Sequence, residues 1–268
     1  MEKIGEEKQE QSFLEHLEVL RWHLIRSSAA VLFFTVLAFI FPEILFDKII
    51  FAAKDPSFAT YRFFCWMSET LHFGEALCID EMPFDLMNIN MSGQFSTHIV
   101  SSVVAGFILA FPYIFWEIWR FVKPALHNSE KKYSRGVVFY TSILFTMGVL
   151  FGYYAVAPLS VQFLGNYQVS SEVVNQINLN SYISTVTTVC LANGIVFLLP
   201  VLIYFLSKLG LITPAFLKQY RRHALVILMI LAAVITPPDI MSLILVTFPL
   251  MLLYEVSIKV SARFQDEE

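Results

Sequence analysis

Long apolar runs separated by short clusters of charge set the pattern of this chain. A helix crossing the hydrocarbon of a bilayer needs about 20 apolar residues. Four runs approach or exceed that length: Ser27 to Ile44, Phe95 to Phe121, Gly136 to Pro158 and Tyr182 to Leu206. Two shorter runs follow, one between Arg222 and the Pro237-Pro238 pair, the other from Ile240 to Tyr254. At a rise of about 1.5 Å per residue each covers roughly 21 to 23 Å of a core about 30 Å thick. The pattern therefore predicts two short spans joined by a tight turn at Thr236-Pro237-Pro238-Asp239, because a double proline cannot continue a helix. A membrane barrel would instead show strands of alternating polarity. The fold class is all-α membrane protein: six transmembrane helices, the last two short, with Pro112, Pro200 and Pro249 kinking three of them into a concave bundle.

The polar positions give this bundle two different sides. Lys3, Lys8, Arg21 and Arg26 precede or begin the first span, and Arg120, Lys123, Lys131, Lys132 and Arg135 lie between the second and third. Lys208, Lys218, Arg221 and Arg222 separate the fourth and fifth, and Lys259 and Arg263 follow the sixth. Only Lys48, Lys54 and Arg62 fall on the opposite side, all in the long loop after the first span. The basic side is cytoplasmic by the positive-inside rule, which places both termini inside. Residues 27–258 then form the membrane domain, with a large outer loop over about 45–94 and a cytoplasmic tail at 259–268. Residues 1–26 read as a cytoplasmic amphipathic segment, since Phe13, Leu17, Leu20 and Leu24 recur at helical spacing and would lay one apolar stripe on the membrane interface. The first twenty residues are charged and hold no apolar run of the signal-peptide kind.

Composition agrees and excludes several classes. The 268 residues are 57% hydrophobic and 15% charged, with a net charge of −4, whereas soluble domains carry nearer a quarter charged residues. This much apolar surface must face lipid, and no basic domain stands out to bind nucleic acid. Of three cysteines, Cys65 and Cys78 share the outer loop and Cys190 sits in span four. An oxidising outer compartment favours a Cys65–Cys78 disulfide over two free thiols. No phosphate-binding loop, zinc motif or nucleophile elbow is present, so neither an enzyme nor a resident cofactor or metal is expected. Gly148 and Gly152 form a small-xxx-small pair that permits close helix approach, within the chain or between copies.

Two places on the basic side concentrate charged and aromatic groups. One is the entry to span one, Ser12-Phe13-Leu14-Glu15-His16-Leu17-Glu18-Val19-Leu20-Arg21; the other is Phe115-Trp116-Glu117-Ile118-Trp119-Arg120-Phe121-Val122-Lys123-Pro124-Ala125-Leu126 and onward through Glu130. Aromatic belts and positive-inside anchoring account for most of these residues. The carboxylates Glu18 and Glu130 do not serve orientation, and a carboxylate at the membrane surface is what a guanidinium seeks.

Together these stretches resemble the TatC family, the multispan receptor subunit of the twin-arginine (Sec-independent) protein translocase. His16-Leu17-Glu18-Val19-Leu20-Arg21 is similar to the family's H-L-x-E-L-R, Phe121 to Leu126 with Glu130 to its F-x-x-P-A-L loop, and Thr236-Pro237-Pro238-Asp239 to its outer T-P-P-D turn. The resemblance implies a subunit of the bacterial cytoplasmic (inner) membrane that binds the paired arginines of signal peptides on folded cargo. It implies single-span partners of the TatA and TatB type, contact with membrane lipid, self-association and transport driven by the proton-motive force. Glu130 and Glu18 are the expected arginine acceptors, with Glu15 and Arg21 beside them and Phe121 and Pro124 shaping the groove. Two positions depart from the family pattern. The acid of the first motif is one residue early, a rotation of about 100° on a helix, and Leu198 stands where the family carries a glutamate in span four. Asn193 and Thr187 are the nearby polar candidates for partner contact. A small-solute transporter or a membrane scaffold are the alternative functions, the first disfavoured because the deep spans lack a convincing ionisable residue.

Overall fold

The first apolar run belongs to one unbroken helix, α1 (Phe13–Ile40). Residues 13–26, part of the expected amphipathic segment, belong to the same helix as the apolar run, for no glycine or proline interrupts it and each residue fixed adds a backbone hydrogen bond. The computed structural model describes residues 13–70, 78, 84–123, 134–170, 172 and 175–265. After α1 a π-helical turn (Ile44–Ile50) and a 3-10 turn (Phe51–Lys54) fold back along the outer end, followed by α2 (Ala59–Thr70). A short strand β1 (Asp85–Met87) leads into α3 (Gly93–Val122). The third run forms α4 (Ser134–Phe151), a π-helical turn (Gly152–Val156) and α5 (Ala157–Asn166). The Ala157 amide bonds the Gly152 carbonyl five residues back, next to Pro158, which has no amide hydrogen to give.

Strand β2 (Gln176–Asn178) pairs parallel with β1 and opens into α6 (Leu179–Val196). Two parallel strands that each feed a helix start α3 and α6 from the same end of the bundle. As Pro200 requires, span four breaks at Phe197 and Leu198 and resumes as α7 (Leu199–Lys208). Gly210, at φ +70°, ends α7: the Leu211 amide donates to Leu206 and the Gly210 amide to Ser207, each at 3.0 Å. Thr213 then caps the short α8 (Pro214–Gln219), accepting from the Phe216 amide at 3.2 Å. The last hairpin is α9 (Arg221–Ile235) and α10 (Ile240–Gln265).

Among the described residues, five segments are long and apolar enough to cross a membrane: Leu17–Ile40, Gly93–Val122, Gly136–Asn166, Leu179–Lys208 and Ile240–Ala262. The expectation of two short final spans is half corrected. With 15 residues, α9 is indeed short, but α10 runs 26 residues. Glu255 does not end it: the helix carries its charges past the apolar run, and Glu255 pairs with Arg221 at 2.8 Å. The turn between the two helices is held by Asp239, whose carboxylate accepts from the Ser242 amide at 2.6 Å and lies 3.4 Å from the Ser160 hydroxyl. Pro237 and Pro238 precede this cap.

The basic ends gather at one end of the bundle. Trp119 near the end of α3 packs on Phe205 of α7, Ser207 of α7 bonds Ser261 of α10, and Arg221 reaches Glu255. At the opposite end, tyrosine hydroxyls tie the outer loop to the bundle. Tyr153 donates to Ile49 at 2.8 Å and Tyr182 to Ile50 at 2.9 Å, while Tyr61 lies 2.9 Å from both the Ala53 and Pro158 carbonyls. Burial pushes the Tyr61 phenol above its ordinary range, and the Ser57 amide holds the Asp55 carboxyl below the usual one. Cys65 and Cys78 are joined as a disulfide in the same loop.

Candidate functional site

Helices α1 and α3 lie antiparallel, and half-buried positions of α1 recur along one stripe, His23, Ser27, Val31, Phe34 and Ala38, facing α3. From Leu17 to Ile40 no residue of α1 is fully buried. The contact runs the length of the helix on one face only, and three stations mark it. At the outer end Phe39 stacks on His98 at 4.0 Å; in the middle Gly106 admits the Thr35 backbone; at the basic end His23 meets Glu117.

The third station is a polar cluster. The Glu117 side chain is 1% exposed and shares a short hydrogen bond between its Oε2 and Nδ1 of His23, itself 13% exposed. The Arg26 guanidinium stands 4.0 Å from Oε2 and that of Arg120 3.6 Å from Oε1; both arginines are about half exposed. Tyr113, one turn earlier on α3, interacts with the same carboxylate. A carboxylate withdrawn from water needs such compensation, because an unpaired buried charge is strongly unfavourable. Oε1 nevertheless has no hydrogen-bond donor among the described residues.

The site residues expected from sequence fall around this cluster. Glu18 projects from α1, exposed, and pairs with Arg21 at 3.6 Å. The Phe121 ring, in the last turn of α3, meets the His23 ring edge-on with centroids 6.1 Å apart. The two motif-bearing segments, about a hundred residues apart in sequence, therefore converge. Glu130 and Pro124, and the side chain of Glu15, lie outside the described residues. Sequence reasoning passed over Glu117 and His23. The available signal was a carboxylate inside the aromatic end of an apolar run, one turn before Arg120, where orientation gives it no role.

The candidates for partner contact divide. Asn193 is fully buried, packed where Gly148 and Gly152 let α6 approach α4, and its amide donates to Val189 at 2.8 Å. It faces the interior of the bundle rather than its lipid surface. Thr187 is half-buried and bonds the Ile183 carbonyl, and Leu198 is half-buried at the break between α6 and α7. Among the described residues one grouping has metal-ligand spacing, Cys65, Glu69 and Cys78, but its two sulfurs are bonded to each other and are not thiolates.

The chain is similar to known proteins over most of its length. The profile of the family described as Sec-independent protein translocase protein (TatC) matches residues 15–249. A Sec-independent protein translocase protein TatC from Blattabacterium sp. subsp. Periplaneta americana is 43% identical over 95% of this chain and 96% of its own length. One from Aquifex aeolicus is 32% identical over 91% of this chain and 92% of its own. A crystal structure of a twin arginine translocase receptor, TatC, in the detergent DDM superposes with a TM-score of 0.71 at 32% identity, covering 92% of this chain and 99% of that one.

Proposed function

Since this chain belongs to the TatC family and is a subunit of the Sec-independent protein translocase, we propose that it binds twin-arginine signal peptides at the basic face of the bundle. The observation that carries the reading is the convergence of α1 and α3, which sets the exposed Glu18 on the end of the bundle where Phe121 closes against His23. Each arginine of a signal peptide presents a planar fork that a carboxylate accepts bidentately, a match lysine cannot make. Glu130 takes one arginine and Glu18 the other, with Glu15, Arg21, Phe121 and Pro124 bounding the groove.

In this reading the basic end faces the cytoplasm, both termini lie there, and α9 completes a sixth span by thinning the bilayer. The membrane is the bacterial inner membrane, the partners are single-span proteins of the TatA and TatB type, and the proton-motive force drives export of folded cargo. The surface around Leu198 and Thr187 receives a partner span. Leu198 offers that span an apolar contact, and Asn193, five residues earlier in the chain, is buried.

Photo-crosslinking of a twin-arginine signal peptide to inverted membrane vesicles tests the site. Charged hydrogen bonds are worth about 1.5–3 kcal/mol each, so Glu130→Ala abolishes specific crosslinking and Glu18→Ala weakens it. Crosslinks indifferent to both substitutions overturn the assignment.

A further inference from the structure

We propose that Glu117 and His23 form a positioning clamp: their inter-helix bond fixes the start of α1 against the end of α3 and so sets the separation between Glu18 and Phe121. The inference rests on the signal-peptide reading above and adds to it residues that no incoming peptide touches. Four observations carry it.

First, α1 contributes no fully buried side chain between Leu17 and Ile40, so its basic end packs on α3 by one face only. Second, Glu117 at that end is a nearly inaccessible charged side chain, and it bonds across to α1 through His23 as well as meeting Tyr113 on its own helix. Its nearest cation on α3, Arg120, stops 3.6 Å short of Oε1 and leaves that oxygen without a hydrogen bond among the described residues. A carboxylate placed only to be neutralised would take both oxygens to the guanidinium, the bidentate geometry that arginine favours. Third, among the described residues the charged and titratable groups around the carboxylate are His23 and Arg26 from α1, and Tyr113 and Arg120 from α3. Both helices thus converge on a single anion, which makes the junction specific in register as well as attractive. Fourth, His23 joins the clamp to the groove directly, for the ring that bonds Glu117 also meets Phe121 and lies two residues beyond Arg21.

At 1% exposure Glu117 cannot itself receive an arginine from solution, so it acts through α1 and is a positioning residue. The chemistry needed is a hydrogen bond that stays made in the low-dielectric end of the helix pair. The guanidinium groups of Arg26 and Arg120, each about half exposed, flank the carboxylate at 4.0 and 3.6 Å.

The test uses the full chain in lipid nanodiscs on a Cys190→Ala background, with spin labels at Ile25 of α1 and Ile118 of α3, both half exposed. Each variant is read twice, by its dissociation constant for a twin-arginine signal peptide and by the distribution of the label–label distance. Glu117→Ala and His23→Ala are each expected to weaken the peptide about tenfold, the worth of one charged hydrogen bond, and to broaden the distance. The double variant should be no worse than the weaker single, because both singles break one bond. Glu117→Gln keeps a partner for His23 and should lose less; it also carries the comparison with His23→Ala if Glu117→Ala fails to fold. Unchanged affinity, an unchanged distance distribution, or losses that add in the double variant overturns the proposal. Failure of the signal-peptide reading looks different: Glu18→Ala and Glu130→Ala then leave peptide binding intact while the distance still broadens in the clamp variants.

Discussion

Substitution Gly106→Ala tests the one-sided contact between α1 and α3. A Cβ at Gly106 would lie 2.3 Å from Thr35 Oγ1, 2.6 Å from the Thr35 amide nitrogen and 2.8 Å from its Cα. The hydroxyl can rotate away, but the nitrogen and Cα belong to the helix itself. Ordinary non-bonded contacts sit near 3.5–4.0 Å, so α1 must retreat by roughly 1 Å at its middle station. Overpacking of this kind costs about 1–3 kcal/mol. Replacing a helical glycine by alanine returns up to about 1 kcal/mol, and the fair comparison is therefore a glycine with room. Gly136 of α4 supplies it, for a Cβ there meets nothing nearer than Tyr140 at 3.8 Å. With the helix gain cancelling, Gly106→Ala should be less stable than Gly136→Ala by about 1–3 kcal/mol. For a chain of this size that is roughly 2–10 °C in Tm. The assay is built into the molecule. Cys190 is buried and is the single free cysteine of three, so a thiol-reactive fluorophore reports unfolding as this thiol becomes accessible. Thr35→Ala should not rescue the variant, because the clashing backbone atoms remain. Equal midpoints for the two alanine variants, or rescue by Thr35→Ala, would refute the reasoning.

Two further substitutions probe the outer end. The Cys65–Cys78 bridge closes a loop of 13 residues, worth about 3 kcal/mol by chain entropy. Cys65→Ser with Cys78→Ser should lower the midpoint accordingly, and added reductant should do nothing further to that variant; a midpoint unmoved in both would show that the bridge restrains nothing. Asp239→Ala removes the cap of α10, leaving the Ser242 amide without its side-chain acceptor and the Ser160 hydroxyl with Ser242 alone, at a cost of about 1–2 kcal/mol. Asp239→Asn, which keeps an acceptor for the Ser242 amide, should recover most of it in the same thermal assay.

Much of this architecture was legible in the order of residues. The apolar runs mark the five long spans, and Pro200 marks the break in span four. Gly148 and Gly152 mark the tight approach of α4 to α6, and the Pro237-Pro238-Asp239 turn marks the start of α10. All are local effects: transfer into hydrocarbon, a missing amide hydrogen, a missing side chain, a side-chain cap. The sidedness of lysine and arginine is local in the same sense, and the described members of the four basic clusters collect at one end. Where α10 stops was less legible, because Glu255 ends an apolar count but not a helix, and Arg221 meets it from another element.

What the sequence by itself determined, then, is which segments leave water, which end of each is basic, and the family motifs that nominate Glu18, Phe121 and Glu130. Only the tertiary structure decided which helix faces which. It turned Asn193 inward against two glycines and brought His23 to Glu117 across 94 positions of sequence. The reason is physical. Lipid is as apolar as leucine, so no hydrophobic force distinguishes one helix pairing from another within the bilayer. Shape and a few polar bonds choose among them, and those are properties of two surfaces in contact, which no single stretch of chain contains.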